Sequence, residues 1–171
     1  GLLGVITEVT AKILKKPQVV KAALIGFPSI EEGANATSEI ISNGIIPAGM
    51  EIMDKALIEA TDNFSKAGYP RDAELLLIVE VDGTESEVDT LLKDVSSICK
   101  KNNCSSLKLS QSEKERLSFW SGRKSAFPAC GAMAPDYYCM DGVIPRGKLA
   151  EALLEIKRLS EKYNLPVANC F

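Results

Sequence analysis

The residues best able to do chemistry lie between Phe119 and Arg146, in the stretch FWSGRKSAFPACGAMAPDYYCMDGVIPR. Arg123 stands there among aromatic side chains, in a combination that core packing alone does not require. A guanidinium group offers paired N–H donors that match a planar carboxylate. A cation near the C-terminus of a helix is also favoured by the helix dipole, by about 0.3–1 kcal/mol. The sequence therefore leaves two interpretations of Arg123 open, a carboxylate clamp and a helix-end cation.

A pair of tyrosines and an Asp-Gly pair follow in the same stretch. Tyr137 and Tyr138 are adjacent in a predicted strand over 137–144. Neighbouring strand residues point to opposite faces, so at most one of the two phenols can line a given pocket. Asp141 and Gly142 have the composition of a turn or bulge, and turn preference makes this their expected use.

Several familiar kinds of site are missing from the chain. It has no histidine, the commonest general acid or base near neutral pH, so a mechanism that needs one must obtain it from outside these residues. It contains no glycine-rich nucleotide loop and no HExxH metalloprotease motif. The five cysteines form no CxxC pair and are odd in number, which favours reduced structural thiols over a disulfide framework or a zinc site.

Composition narrows the class of protein further. The 171 residues are 46% hydrophobic and 25% charged, as in an ordinary globular domain, and the net charge of -3 gives no field that would attract nucleic acid. We find no run near the roughly 20 apolar residues that cross a bilayer, and no signal peptide, so the prediction is a cytoplasmic protein without a transmembrane segment.

The elements that must position these residues are predicted by caps and periodicity. Helices are expected to start where Ser or Thr precedes Glu by three residues, at Ser29, Thr84 and Ser112. Another amphipathic helix is predicted over 146–164, with an apolar stripe of Leu149, Leu153, Ile156 and Leu159. Strands are predicted at 19–27, 74–83, 105–110, 137–144 and 166–171, with 74–83 inside the sheet.

Alternation of strands and helices predicts an α+β fold, a ferredoxin-like α/β plait with an enlarged antiparallel sheet covered by helices. Lys15 to Gln18 is the best candidate for a domain boundary, because the chain changes there from one apolar run to another. Residues 1–16 are therefore expected to belong to a different domain from residues 17–171.

Several segments together resemble a known family: GLLGVITE, EIMD, AGYPRDAELLLIVEVDG, FWSGRKSAFPA, PDYYCMDGVIPR and VANCF. In order and spacing they are similar to the C-terminal domain of FAD-linked oxidases of the glycolate oxidase type, the FAD-dependent 2-hydroxy-acid dehydrogenases. The resemblance covers nearly the whole chain. It implies that 1–16 closes an FAD-binding domain and that 17–171 caps the flavin and supplies the substrate pocket, truncated at its C-terminal end.

The resemblance also implies roles for individual residues. Backbone around Gly4, Val5 and Ile6 would approach the FAD cofactor. Arg123 matches the carboxylate-binding arginine of the family, and Tyr138 is a weaker match to a pocket residue. No residue of the chain is assigned a catalytic role or a metal. The catalytic and metal-binding histidines are expected in an HxGDGNxH motif directly after VANCF, where a divalent metal would bind.

The implied reaction is oxidation of glycolate to glyoxylate, with electrons passing through the flavin to other glycolate oxidase subunits or to another acceptor. The alternative substrate is D-lactate. Related enzymes place a lysine at the position of Cys139, and its absence favours a substrate with one carboxylate. Attachment to a membrane surface through partner subunits would remain compatible with this function. As part of such an enzyme, the chain alone is expected to be inactive. The alternative from another class is a non-catalytic α/β plait that binds a small anion or mediates subunit assembly.

Overall fold

Four strands form an antiparallel sheet in residues 2–171, the part of the chain described by the structure, a computed structural model. They are β1 (Val19–Phe27), β2 (Gly49–Asp54), β3 (Leu75–Gly83) and β4 (Ser106–Leu109). The order across the sheet is β2-β3-β1-β4, and every neighbouring pair is antiparallel. The apolar run of β3 is thus central and buried on both faces, as predicted.

Six α-helices accompany the sheet in the described residues. They are α1 (Ile30–Ser42), α2 (Lys55–Ser65), α3 (Glu85–Lys101), α4 (Glu113–Lys124), α5 (Ala126–Met133) and α6 (Leu149–Tyr163), the last preceded by a 3-10 turn at Arg146–Lys148. The three predicted N-caps are confirmed, because the Ser29, Thr84 and Ser112 side chains each accept a hydrogen bond from the backbone N–H three residues on.

Two strand–helix–strand units, β1-α1-β2 and β3-α3-β4, produce this strand order, which is that of a ferredoxin-like plait. The predicted α+β plait covered by helices is confirmed. The added elements are chiefly helices: α2 lies between β2 and β3, and α4, α5 and α6 follow β4.

Helices pack on both faces of the sheet and divide the core in two. Because strand side chains alternate, Ala23, Ile25 and Phe27 join the cluster formed with α1, α3 and α6. Ala22 and Leu24 face the other way, toward α2, α4 and α5. The second face carries the candidate site, since α4 places Arg123 over it.

The strand predicted at 137–144 is wrong, because residues 134–145 have no regular secondary structure and include the Asp141-Gly142 pair. The edge of the sheet next to β2 is occupied instead by the end of the chain. Ile52 and Phe171 exchange two backbone hydrogen bonds of 2.9 and 3.1 Å, and Met53 pairs with Cys170. The strand predicted at 166–171 is thus reduced to this short pairing. Because 169–171 pairs with β2, the segment 137–144 cannot add a strand at the same place.

The apolar stripe predicted for the last helix is only partly buried. Leu149 and Leu153 lie in the core, whereas Leu159 is 37% exposed. Residues 2–17 have no regular structure, and their apolar side chains are exposed. The first residue of the predicted 1–16 segment, Gly1, lies outside the described residues. Among residues 2–171, no helix combines the length and apolar character needed to cross a membrane.

Candidate functional site

The site is built on α4, whose sheet-facing side chains recur every three or four residues. Arg116, Phe119, Trp120 and Arg123 have this spacing, and Phe119 is buried in the core beneath the helix. Arg123 lies in the last turn of α4, as predicted. The helix thus places two cations over the sheet, with aromatic rings between them.

Two glutamates on the sheet meet these cations. Glu51 on β2 is paired in register with Ile78, and Glu80 on β3 with Gly49. Residues opposite each other in a sheet share a face, and so do residues two apart in a strand. Both carboxylates therefore lie on the face covered by α4, within an otherwise apolar surface.

Glu80 is bound by two side chains of α4, both through Oε2. It accepts hydrogen bonds from the Arg116 guanidinium and from Trp120 Nε1, the latter at 2.7 Å. Arg116 also binds Glu113, and this pairing, together with Glu80, raises the pKa of the guanidinium above its usual value. Only 16–17% of the Arg116 and Glu80 side chains is exposed, so their roles are structural: they fasten α4 to the sheet.

Arg123 is bound on one side only. Its Nε donates to Glu51 Oε2 at 2.8 Å, and both side chains are about a quarter exposed, at 28% and 26%. Burial disfavours the charged guanidinium, but the hydrogen bond to Glu51 and the nearby groups Cys170, Glu51 and Tyr69 together outweigh this effect and raise the pKa of Arg123. In residues 2–171 the terminal nitrogens of Arg123 make no hydrogen bond. This edge of the guanidinium can therefore bind a planar carboxylate.

The end of the chain lies beside this pair. Asp54 accepts hydrogen bonds from Asn169 N at 2.9 Å and from Asn169 Nδ2 at 2.7 Å, and it also caps α2 through Leu57 N at 3.0 Å. Burial raises the pKa of Asp54 despite these donors. The Cys170 thiol is close enough to Arg123 for each to affect the pKa of the other, although burial dominates and raises the pKa of Cys170. The site thus includes the 169–171 segment.

The structure does not bring all the predicted site residues together. Tyr138 is 88% exposed on the irregular segment 134–145, and no hydrogen bond in residues 2–171 joins it to Arg123. Gly4, Val5 and Ile6 lie on the exposed N-terminal segment. The roles predicted for these four residues stay predictions.

The sequence did not predict a role for Glu51, which accepts a hydrogen bond from the Arg123 side chain, or for Tyr69, whose hydroxyl accepts one from the Arg123 backbone N–H. A charged residue within the strand-like pattern GMEIMD was the available signal for Glu51. Tyr69 precedes Pro70 in a connection, where nothing in the sequence indicates a buried phenol.

The backbone predicted to approach the flavin lies in open space. Nothing lies within 4 Å of the position where a Cβ on Gly4 would be, so backbone there is open to the approach of a flat ring. A metal fits less well, since residues 2–171 contain no group of three His, Cys, Asp or Glu side chains that could hold an ion. Arg123 lines neither of two grooves of about 670 and 400 Å³, although the smaller one is lined in part by Asp54 and Asn169, beside the site.

Comparison with known proteins identifies the family of the chain. The family described as "FAD linked oxidases, C-terminal domain" matches residues 16–171. Glycolate oxidase subunit GlcD of Escherichia coli K12 is 51% identical over 171 residues, which is 100% of this chain and 34% of that protein. The mitochondrial cytochrome D-lactate dehydrogenase of Arabidopsis thaliana is 31% identical over 160 residues, 92% of this chain and 28% of that protein.

Among solved structures, alkyldihydroxyacetonephosphate synthase superposes with a TM-score of 0.61 at 16% identity, covering 88% of this chain and 32% of that one. At this identity the similarity establishes the fold alone. The chain spans about a third of the length of the curated relatives it matches.

Proposed function

The chain belongs to the FAD-linked oxidases, through their C-terminal domain, and from this we propose that the whole protein oxidises a small 2-hydroxy monocarboxylate, converting glycolate to glyoxylate. Residues 17–171 form the substrate domain, and residues 1–16 close the domain that holds FAD. Electrons leave through an acceptor or through other subunits of a glycolate oxidase complex.

This proposal rests on the guanidinium of Arg123, which is hydrogen-bonded on one side only. Glu51 fills one side of it at 2.8 Å, and the terminal nitrogens remain for the substrate carboxylate. Because the group is partly buried, a hydrogen bond there is less weakened by water than at an open surface. Binding by this edge would fix the orientation of the 2-hydroxy carbon relative to the flavin.

Charge beside Arg123 favours substrates with a single carboxylate. Glu51 already neutralises part of the guanidinium charge, and a second substrate carboxylate would meet this glutamate. Cys139 adds no cation to hold such a group. Glycolate and D-lactate therefore suit the site better than a 2-hydroxy diacid.

The remaining roles divide between the chain and the cofactor. When bound, FAD accepts the two electrons of the oxidation. Gly4, Val5 and Ile6 would offer backbone to one side of the cofactor, and Tyr138 would line the pocket from the 134–145 segment. The hydroxyl proton needs a base, and no side chain of this chain is assigned that role, since the chain contains no histidine.

The test is flavin reduction in the full-length protein loaded with FAD, with glycolate, D-lactate, L-lactate and D-malate as substrates. We expect the monocarboxylates to reduce the flavin and D-malate to do so poorly. Arg123→Met should raise KM roughly 10- to 100-fold, because hydrogen bonds to charged groups contribute about 1.5–3 kcal/mol. Arg158→Met is the matched control, since that arginine is exposed on α6 and pairs with Glu155.

D-lactate is the second candidate, and the identity to a D-lactate dehydrogenase favours it. The two substrates differ by one methyl group, which is worth about 1–3 kcal/mol of discrimination. The ratio of kcat/KM for glycolate and D-lactate decides between them. If no small 2-hydroxy acid reduces the flavin, the enzymatic proposal is refuted and a non-catalytic binding domain is the better description.

A further inference from the structure

Tyr69 lies in the connection between α2 and β3, yet its hydroxyl reaches the last turn of α4. The side chain is only 4% exposed. Its hydroxyl donates to the carbonyl of Phe119 and accepts from the backbone N–H of Arg123 at 3.1 Å. In a regular helix the carbonyl of one residue pairs with the N–H four residues on, which here would join Phe119 to Arg123. The phenol hydroxyl thus lies between the Phe119 carbonyl and the Arg123 N–H and hydrogen-bonds to both.

The connection that carries Tyr69 is itself fixed. The buried carboxylate of Asp62 accepts hydrogen bonds from Gly68 N at 2.8 Å and from Tyr69 N at 3.1 Å. Arg71 Nε donates to the same carboxylate at 2.8 Å. Three donors on one buried side chain leave the backbone at Tyr69 little freedom. The backbone that positions the Tyr69 hydroxyl against α4 is therefore itself held in place by Asp62.

Gly122 allows the ring to approach α4 this closely. A Cβ at this position would lie 2.3 Å from Tyr69 Cε2 and 2.5 Å from both Cζ and the hydroxyl oxygen. Only a residue without a side chain fits there. The aromatic ring therefore packs directly on the backbone immediately before Arg123.

We propose that Tyr69 is a positioning residue for carboxylate recognition. Its hydroxyl, together with the contact of its ring with Gly122, sets the backbone at Arg123 so that Glu51 binds Nε and the terminal nitrogens face the substrate. This inference rests on the proposed function, in which Arg123 binds the substrate carboxylate. It assigns a role to a residue 54 positions away in sequence.

The protonation state of Tyr69 fits this role. Burial raises the pKa of the phenol to about 12. The hydroxyl therefore keeps its proton at neutral pH, and its donation to Phe119 and acceptance from Arg123 do not depend on pH across the range in which enzymes are usually assayed.

Tyr69→Phe in the full-length flavoprotein tests the proposal, because it removes only the hydroxyl. We expect KM for the 2-hydroxy acid to rise about tenfold while kcat changes less than about twofold, as when binding shared by ground and transition states is lost. Amide hydrogen exchange over 119–124 should become faster. A KM equal to that of the wild type would overturn the proposal, even if the variant melts at a lower temperature.

Ser110→Ala is the matched control. Ser110 is also buried, and its hydroxyl accepts a hydrogen bond from the backbone N–H of Ala22 at 2.9 Å. It follows β4, at the opposite edge of the sheet from β2, which carries Glu51. This variant should lose stability and keep its KM. If Tyr69→Phe fails to fold, Gly122→Ala replaces it: a raised KM supports the proposal, and an unchanged KM overturns it.

Binding of oxamate, an unreactive monocarboxylate, separates the two proposals. If the wild type oxidises no 2-hydroxy acid but binds oxamate more tightly than Tyr69→Phe in calorimetry, the positioning role stands and the proposed function fails. If the wild type is active and Tyr69→Phe binds oxamate equally well, only the positioning role fails. Absence of oxamate binding to the wild type would overturn the positioning role directly.

Discussion

Replacement of Gly122 by alanine should destabilise the protein because no space exists for the added methyl group. The new Cβ would lie 2.3–2.5 Å from three atoms of the Tyr69 ring and hydroxyl. The ring cannot yield cheaply, since its hydroxyl binds α4 and its backbone is held by Asp62. Overpacking of this kind typically costs about 1–3 kcal/mol.

Gly131 in α5 provides the matched control. It too lies in a helix, but a Cβ there would meet only Tyr137 Cε1, at an ordinary contact distance of 3.8 Å. Gly131→Ala should therefore gain the roughly 0.5–1 kcal/mol by which alanine exceeds glycine in a helix. Gly122→Ala has the same gain in helix propensity but also carries the overpacking cost. The free energies of unfolding of the two variants should therefore differ by that cost, about 2 kcal/mol.

The assay is thermal unfolding of both variants beside the wild type. For a chain of this size, 1 kcal/mol shifts Tm by about 2–4 °C, so Gly122→Ala should melt roughly 4–8 °C below Gly131→Ala. If the two variants melt within about 1 °C of each other, the tight packing of Tyr69 against α4 is refuted, and with it the physical basis for the positioning role.

Three further predictions concern a cap, a buried carboxylate and substrate charge. Thr84→Ala removes the capping box of α3 and should lower the free energy of unfolding by about 1 kcal/mol in urea titrations; no change would show that the cap is not needed. Burial opposes ionisation of Asp62, but Arg71 and two backbone donors lower its pKa below the usual 3.8, so its contribution is complete above that pH and is lost as the pH falls through the lowered pKa. The Tm difference between wild type and Asp62→Asn should therefore shrink below about pH 4, and a constant difference would contradict this. Glu51→Gln should lower KM for D-malate more than for glycolate, because the negative charge facing a second substrate carboxylate is removed. Equal changes in KM for the two substrates would show that Glu51 does not select against a second carboxylate.

Local interactions made much of the fold predictable. The caps at Ser29, Thr84 and Ser112 act within three residues, so the sequence displays both partners at once. The continuous apolar run of β3 similarly indicates a strand covered on both faces. The cap at Ser112 predicted where α4 begins, and Arg123 lies near the end of this helix because α4 extends to Lys124.

Other elements were mispredicted because the competition for sheet edges is not local. The aromatic and apolar composition of 137–144 suits a strand, but the edge beside β2 is taken by 169–171. Strand β2 and helix α2 were not predicted, because Asp54 both ends the strand and caps the helix, which leaves no connection between the two elements.

Residue type and resemblance to a family make Arg123 a candidate for carboxylate binding from the sequence alone, because paired guanidinium donors match a planar carboxylate. The tertiary structure decides what surrounds Arg123. Glu51 and Tyr69 lie 72 and 54 positions away in sequence and meet Arg123 only because the sheet and α4 bring three separate segments together. Side-chain chemistry is a property of a single residue, whereas orientation and local charge depend on contacts that only the folded chain creates.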